Sequence, residues 1–321
     1  MKTKSTSLFK KIDENIKIPF SFTINSYMDA LSNENLEWVE NIKFNDDKNV
    51  NQKLIALSPW ILSSYIFPNC SYKYLKCFSK FASFYIIFNE KLKDLDTYFQ
   101  IEILNILNET NSNEYEENSL VDKFNQFIMD LKKYSSLNWF QNFKLNIKNY
   151  NYILNKESLN KLEILNNLEN NSILSKNFIS SFDPFIDFVE LLLDNELSEN
   201  FKNLDLYCKM RSSINKINIL INSIFYLLKE ENINLSISEN LNYLIISHNK
   251  EIEKINEYEY ELKNYSNKEE IEIVYQWIQR LKSLVIGYWY WKNEVYNNHS
   301  ALNEITNFVF SDVSSKRMEP L

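Results

Sequence analysis

An all-α fold is predicted for this 321-residue chain by three features. One glycine and five prolines leave almost no material for tight turns and hairpins. Leu, Ile, Lys, Glu and Asn recur at three- and four-residue spacing, the period of a helix face. Hydrophobic residues make up 45% of the chain and aromatics 15%, which supplies a large core and excludes disorder.

Taken in order, this spacing predicts helices over 52–66, 71–93, 97–109, 120–133, 137–153, 184–195, 205–230, 237–262 and 268–296. Within 71–93, Phe81, Phe84, Tyr85 and Phe88 share one face, and Glu90 and Asp94 stack one turn apart just beyond them. The polar stretch "NETNSNEYEEN" (108–118) separates 97–109 from 120–133. A second, "NNLENNS" (166–172), falls between 137–153 and 184–195, and both are loop-sized. The spans 205–230 and 268–296 are apolar on most faces, which places them inside the bundle with the others covering them. With no internal repeat and no long linker, residues 1–321 are expected to form one domain of about ten helices.

A net charge of −8 and a pI of about 5.1 argue against nucleic acid as partner, because that binding depends on neutralising phosphates. A small anionic ligand stays open if a metal carries the positive charge. Three cysteines argue against a disulfide framework and for a reducing compartment, and Cys70, Cys77 and Cys208 are expected to be buried thiols. No stretch has signal-peptide or membrane-spanning character, so a cytoplasmic location without a membrane span is expected. Two histidines do not make a His-rich zinc site, and one glycine excludes a phosphate-cradling loop. Serine hydrolase, Rossmann and P-loop chemistry drop out. The abundance of Asn and of Lys over Arg looks like AT-rich coding DNA, so many asparagines are expected to be solvated surface.

The aromatic face followed by Glu90 and Asp94 has the layout of an apolar cavity with acids at its mouth. Two carboxylates four residues apart can share magnesium. Any core helix that ends in water, with lysines among its acids, gives the same pattern. The longer stretch "LSPWILSSYIFPNCSYKYLKCFSKFASFYIIFNEKLKD" (57–94) resembles the opening half of microbial class I terpene synthases. There, a tyrosine-proline segment (here Tyr65 and Pro68) precedes a helix with a placed leucine (Leu75), and an aromatic run ends in Asp-Asp-x-x-(x)-Asp. This chain has Asn89, Glu90 and Asp94 at that motif. The segment 18–39 resembles the family's N-terminal segment, and "WIQRLKSLVIGYWYW" (277–291) resembles its final helix through Gly287 and Trp291. The family's second motif, Asn-Asp-x-x-Ser-x-x-x-Glu, fits two registers. Asn249, Glu253 and Glu257 lie too near Gly287 to leave room for intervening helices. Asn222, Tyr226 and Glu230 follow an apolar segment and set Lys229 beside Glu230, and are preferred. The stretch 185–201, with Pro184 before it, resembles the family's Pro-x-x-Leu-x-Glu segment, and counting back puts Lys176 at the diphosphate-sensing arginine. The C-terminal Arg-Tyr pair falls on Asn297 and Asn298 or, shifted, on Val295 and Tyr296.

The resemblance implies a class I terpenoid synthase-like bundle around a central apolar cavity. It implies Mg2+, or Mn2+, held by Asn89, Glu90, Asp94, Asn222, Tyr226 and Glu230. Lys176 would contact the diphosphate, with Arg211 and Arg280 as other basic partners. Phe84, Tyr85, Phe88 and Trp291, with Phe81 and Trp289, would face a carbocation, although each also reads as plain core. The implied substrate is a prenyl diphosphate, farnesyl diphosphate leading to a sesquiterpene, acted on by a monomer or homodimer. Each departure from the family pattern has a physical meaning: Asn offers magnesium no charge, and Lys lacks the planar fork of Arg. A bundle that binds an isoprenoid or a protein partner without turnover is therefore the alternative, and an unrelated all-α interaction protein a third.

Overall fold

The protein is described by a computed structural model over residues 12, 14–43, 48–91, 97–110, 115–149, 182–193, 195–228, 235–263 and 270–299. Among the described residues all extended regular structure is helical, and β-pairing is limited to one isolated bridge between Lys43 and Ser119. The helices are α1 (Met28–Glu40), α2 (Lys48–Leu57), α3 (Pro59–Ile66), α4 (Tyr72–Lys91), α5 (Thr97–Asn108) and α6 (Leu120–Tyr134). They continue as α7 (137–149), α8 (Asp183–Leu191), α9 (Glu199–Lys202), α10 (Asp205–Leu227), α11 (Leu235–Lys263) and α12 (Ile271–His299). Their ends follow local chemistry. Ser119 caps α6 by accepting from the Asp122 amide, and Lys132 and Lys133 close its last turn. Pro184 opens α8, where its missing N–H deprives no helical acceptor.

The span 52–66, expected as one helix, is two. Pro59 disfavours helical backbone at the residue before it, and Ser58 sits in the left-handed region at φ 47 and ψ 62. The break redirects the chain, so that α3 runs through the interior with Trp60, Leu62, Ser63, Ser64 and Ile66 buried. The helix expected over 184–195 ends at Leu191.

Nearly all the buried apolar residues join in one cluster that runs from Ile12, ahead of α1, to Val295 in α12. Helix α12 lies in its middle, against α3, α8, α10 and α11. Gly287 permits its closest approach. A Cβ there would stand 2.5 Å from the Tyr65 carbonyl carbon and 2.7 Å from the Ile66 nitrogen, inside the α3 backbone itself. The Tyr65 hydroxyl pins the same crossing by donating to Glu294 Oε2 at 2.5 Å, and Trp291 Nε1 ties α12 to the end of α2 by donating to the Leu57 carbonyl at 2.8 Å.

Cys70 and Cys77 are buried as expected, but Cys208 is exposed. It stands on the outer side of α10 beside the exposed Lys209, away from the buried Tyr207 and Met210. Among the described residues no helix is long and apolar enough to cross a membrane.

Candidate active site

Helix α4 ends with Asn89 and Glu90 in its last turn. Asp94, Lys176, Glu230 and the side chains of Phe88, Asn89 and Glu90 lie outside the described residues. The described part of the site is built from α4, α8, α10 and α12.

The aromatic face of α4 divides in two, because adjacent residues on a helix point about 100° apart. Phe84 turns toward α1 and α6, where its ring meets Trp38 at 5.5 Å and Phe124 at 5.2 Å. Tyr85 turns toward α8, with its ring 4.7 Å from Phe185. Phe185 stacks on Phe182 at 4.5 Å, and Phe182 meets Tyr288 of α12 at 5.1 Å. The Tyr288 hydroxyl donates to Asn222 Oδ1 at 2.8 Å. One unbroken set of contacts thus runs from the α4 helix of the first motif to Asn222 of the second. Tyr226 is half-buried, with its ring against the core. Trp291 is buried, with its ring 5.6 Å from Tyr288. The other register is otherwise engaged: Asn249 accepts from the Lys17 amide and donates to the Asn15 carbonyl, both at 2.9 Å, which ties the N-terminal segment to α11.

Sequence reasoning missed a polar seam along α10. Arg211, Asn215, Asn218 and Asn222 recur at spacings of four, three and four on a helix whose neighbouring faces are apolar. Arg211, one of the alternative basic partners the sequence offers, is engaged by acidic side chains. Its guanidinium donates to Asp183 at 3.1 Å, Asp187 at 2.8 Å and Glu190 at 2.8 Å, three acids on α8. Asn215 donates to Asp183 at 3.0 Å, and Asn146 of α7 to Asp187 at 2.7 Å. The Tyr207 hydroxyl donates to Glu190 at 2.6 Å. Lys202 lies 3.7 Å from Glu190, so two cations face three acids in a buried cluster. Burial pushes the Asp187 carboxyl up to about 6, against the pull of Arg211. The seam was legible as polar residues at helical spacing in an apolar span; reading the asparagines as solvated surface hid it.

Among the described residues no group of three or more His, Cys, Asp or Glu could hold a metal. The donors the sequence proposes are all hard oxygens, the set that suits magnesium. Asn222 fits such a role, since its Oδ1 accepts one bond from Tyr288 and a carbonyl oxygen has two lone pairs.

No protein-family model and no curated protein matches the sequence. Solved structures do. Hedycaryol synthase in complex with HEPES aligns with a TM-score of 0.68 at 12% identity, over 87% of this chain and 97% of that one. Linalool/nerolidol synthase from Streptomyces clavuligerus in complex with 2-fluorogeranyl diphosphate aligns with a TM-score of 0.69 at 12% identity, over 86% and 98%. The chain has the class I terpene synthase fold. Germacradien-4-ol synthase from Streptomyces citricolor gives the same result, at a TM-score of 0.69 and 13% identity over 87% and 98%. On this terpene synthase fold, identities so low carry the architecture and not the chemistry.

Proposed function

We propose that the protein is a class I terpene synthase that ionises and cyclises a prenyl diphosphate, farnesyl diphosphate leading to a sesquiterpene, with release of diphosphate. The observation that carries this reading is the continuous contact path Tyr85–Phe185–Phe182–Tyr288–Asn222. It supports an aromatic interior shared by the two proposed metal motifs, on a fold that solved terpene synthases have along nearly their whole length.

Magnesium, or manganese, held by Asn89, Glu90 and Asp94 on one side and by Asn222, Tyr226 and Glu230 on the other, would supply the charge that neutralises the departing diphosphate. Lys176 contacts a diphosphate oxygen. Tyr288 orients the Asn222 amide through its hydroxyl. Tyr85, Phe88 and Trp291 are the rings assigned to stabilise the cation, and Phe84 backs Tyr85 from the α1 side. The dense aromatic packing excludes bulk water that would quench the cation early.

A second reading, an isoprenoid- or protein-binding relative without turnover, is favoured by one observation. Both ends of the Asn222 amide are already engaged, by Tyr288 and by Asn218. The test is incubation of the purified protein with C10, C15 and C20 prenyl diphosphates, with magnesium and with EDTA, followed by gas chromatography and mass spectrometry. A magnesium-dependent terpene supports the synthase. No product from folded protein supports the second reading.

A further inference from the structure

Asn218 lies one turn before Asn222 on the polar seam of α10. It is 1% exposed, and its Oδ1 accepts a bond from Asn222 Nδ2 at 3.3 Å. Among the described residues its own Nδ2 meets no acceptor. The neighbours on either side do not compete for it: Asn215 donates to Asp183, and Asn222 accepts from Tyr288. Tyr288 also meets Phe182, so two successive hydrogen bonds, Asn218–Asn222 and Asn222–Tyr288, link the orphaned amide to the aromatic interior.

A buried amide donor without a partner is unfavourable and uncommon in folded proteins. Amide orientation does not remove the vacancy. If both asparagine amides are turned over, Asn218 donates to Asn222, Asn222 donates to Tyr288, and Asn218 Oδ1 is left without a donor. In either arrangement one polar atom of Asn218 is unmet. A water molecule satisfies both arrangements, since it donates and accepts.

We propose that Asn218 holds one water molecule in the aromatic interior, and that this water makes the product a terpene alcohol rather than a hydrocarbon. The proposal rests on the terpene synthase reading above. The Asn218 N–H occupies one lone pair of the water and leaves the other for the cationic carbon. A C–O bond forms from that lone pair, one water O–H bond breaks, and the proton passes to an oxygen of the released diphosphate. Prenyl diphosphate and water become alcohol and protonated diphosphate, with no change of oxidation state overall. Asn218 is thus a specificity-determining residue. With an aliphatic side chain there, the cation would instead lose a proton and leave as an alkene.

The experiment compares wild type with Asn218→Leu, using farnesyl diphosphate and magnesium in heavy-oxygen water, with products separated by gas chromatography and mass spectrometry. The wild type is expected to release an alcohol that carries the heavy oxygen. Asn218→Leu is expected to lower the alcohol-to-hydrocarbon ratio by about tenfold or more, the order of effect when a buried polar contact is lost. A wild-type product that is hydrocarbon only, or a ratio unchanged in Asn218→Leu, overturns the proposal. If Asn218→Leu does not fold, Asn218→Thr and Asn218→Val decide, because they differ by a hydroxyl for a methyl. Threonine must give more alcohol than valine, and equality overturns the proposal. A wild type that turns over no prenyl diphosphate overturns the synthase reading itself, a different result from turnover to the wrong product.

Discussion

At Arg211 a single buried guanidinium answers Asp183, Asp187 and Glu190. Arg211→Met should destabilise the fold by about 3–5 kcal/mol in urea unfolding at pH 7, because it strands buried carboxylates without their cation. That loss should shrink as the pH falls below 6, where Asp187 takes up a proton. Two buried groups bend the acid side of the stability curve in opposite senses. Asp187 is raised in the fold, so its contribution is complete below its unfolded value near 3.8 and fades as the pH rises through about 6. Burial lowers His248 from 6.5 to about 4, so its neutral form contributes fully above 6.5 and that contribution is lost as the pH falls toward 4. Replacing His248 with Leu should flatten the loss of stability between pH 6.5 and 4, by roughly 1.4 kcal/mol for each pH unit, and Asp187→Asn should steepen it. Urea midpoints measured across that range would show both changes.

Helices α3 and α12 meet backbone to backbone, and the contact tolerates no side chain at 287. Gly287→Ala, mild on an open helix, should cost roughly 3 kcal/mol or more here, because the carbonyl of Tyr65 cannot rotate aside like a flexible side chain. A thermal melt of the variant would test this, and a change below about 1 kcal/mol would mean the helices can part freely. Most of this level was readable from spacing alone: α6 and α12 lie within three residues of their expected limits at each end. The reading failed at Ser58 and Pro59. The apolar period continues across them, and a lone proline is also a good first residue of a helix, so the pattern did not reveal the left-handed turn. The assignment of Phe84 and Tyr85 to one face failed for a related reason. Both are aromatic, and composition does not separate two walls that a rotation of about 100° keeps apart.

For the molecule as a whole, a net charge of −8 makes the surroundings poor for a lone diphosphate. Inorganic diphosphate and magnesium together should therefore raise the melting temperature, by roughly 5 °C near 100 times Kd, while either one alone should not. A shift with diphosphate alone would show that basic side chains, rather than a metal, receive the anion. The candidate site was legible only where it follows family landmarks. Asn222 and Gly287 were singled out by register, and Asn218 falls on the helical spacing of the α10 seam one turn before Asn222, whereas Tyr288 meets Asn222 across 66 positions, a contact that no local pattern reveals. The crossing of α3 and α12 also bears on the gene. Three of the 35 lysines and arginines are arginine, the bias expected of coding DNA poor in guanine and cytosine. Every glycine codon opens with two guanines, the bases such a gene sheds most readily. One such codon remains, at the position where two main chains touch. The one glycine this composition retains stands where a single extra carbon has no room.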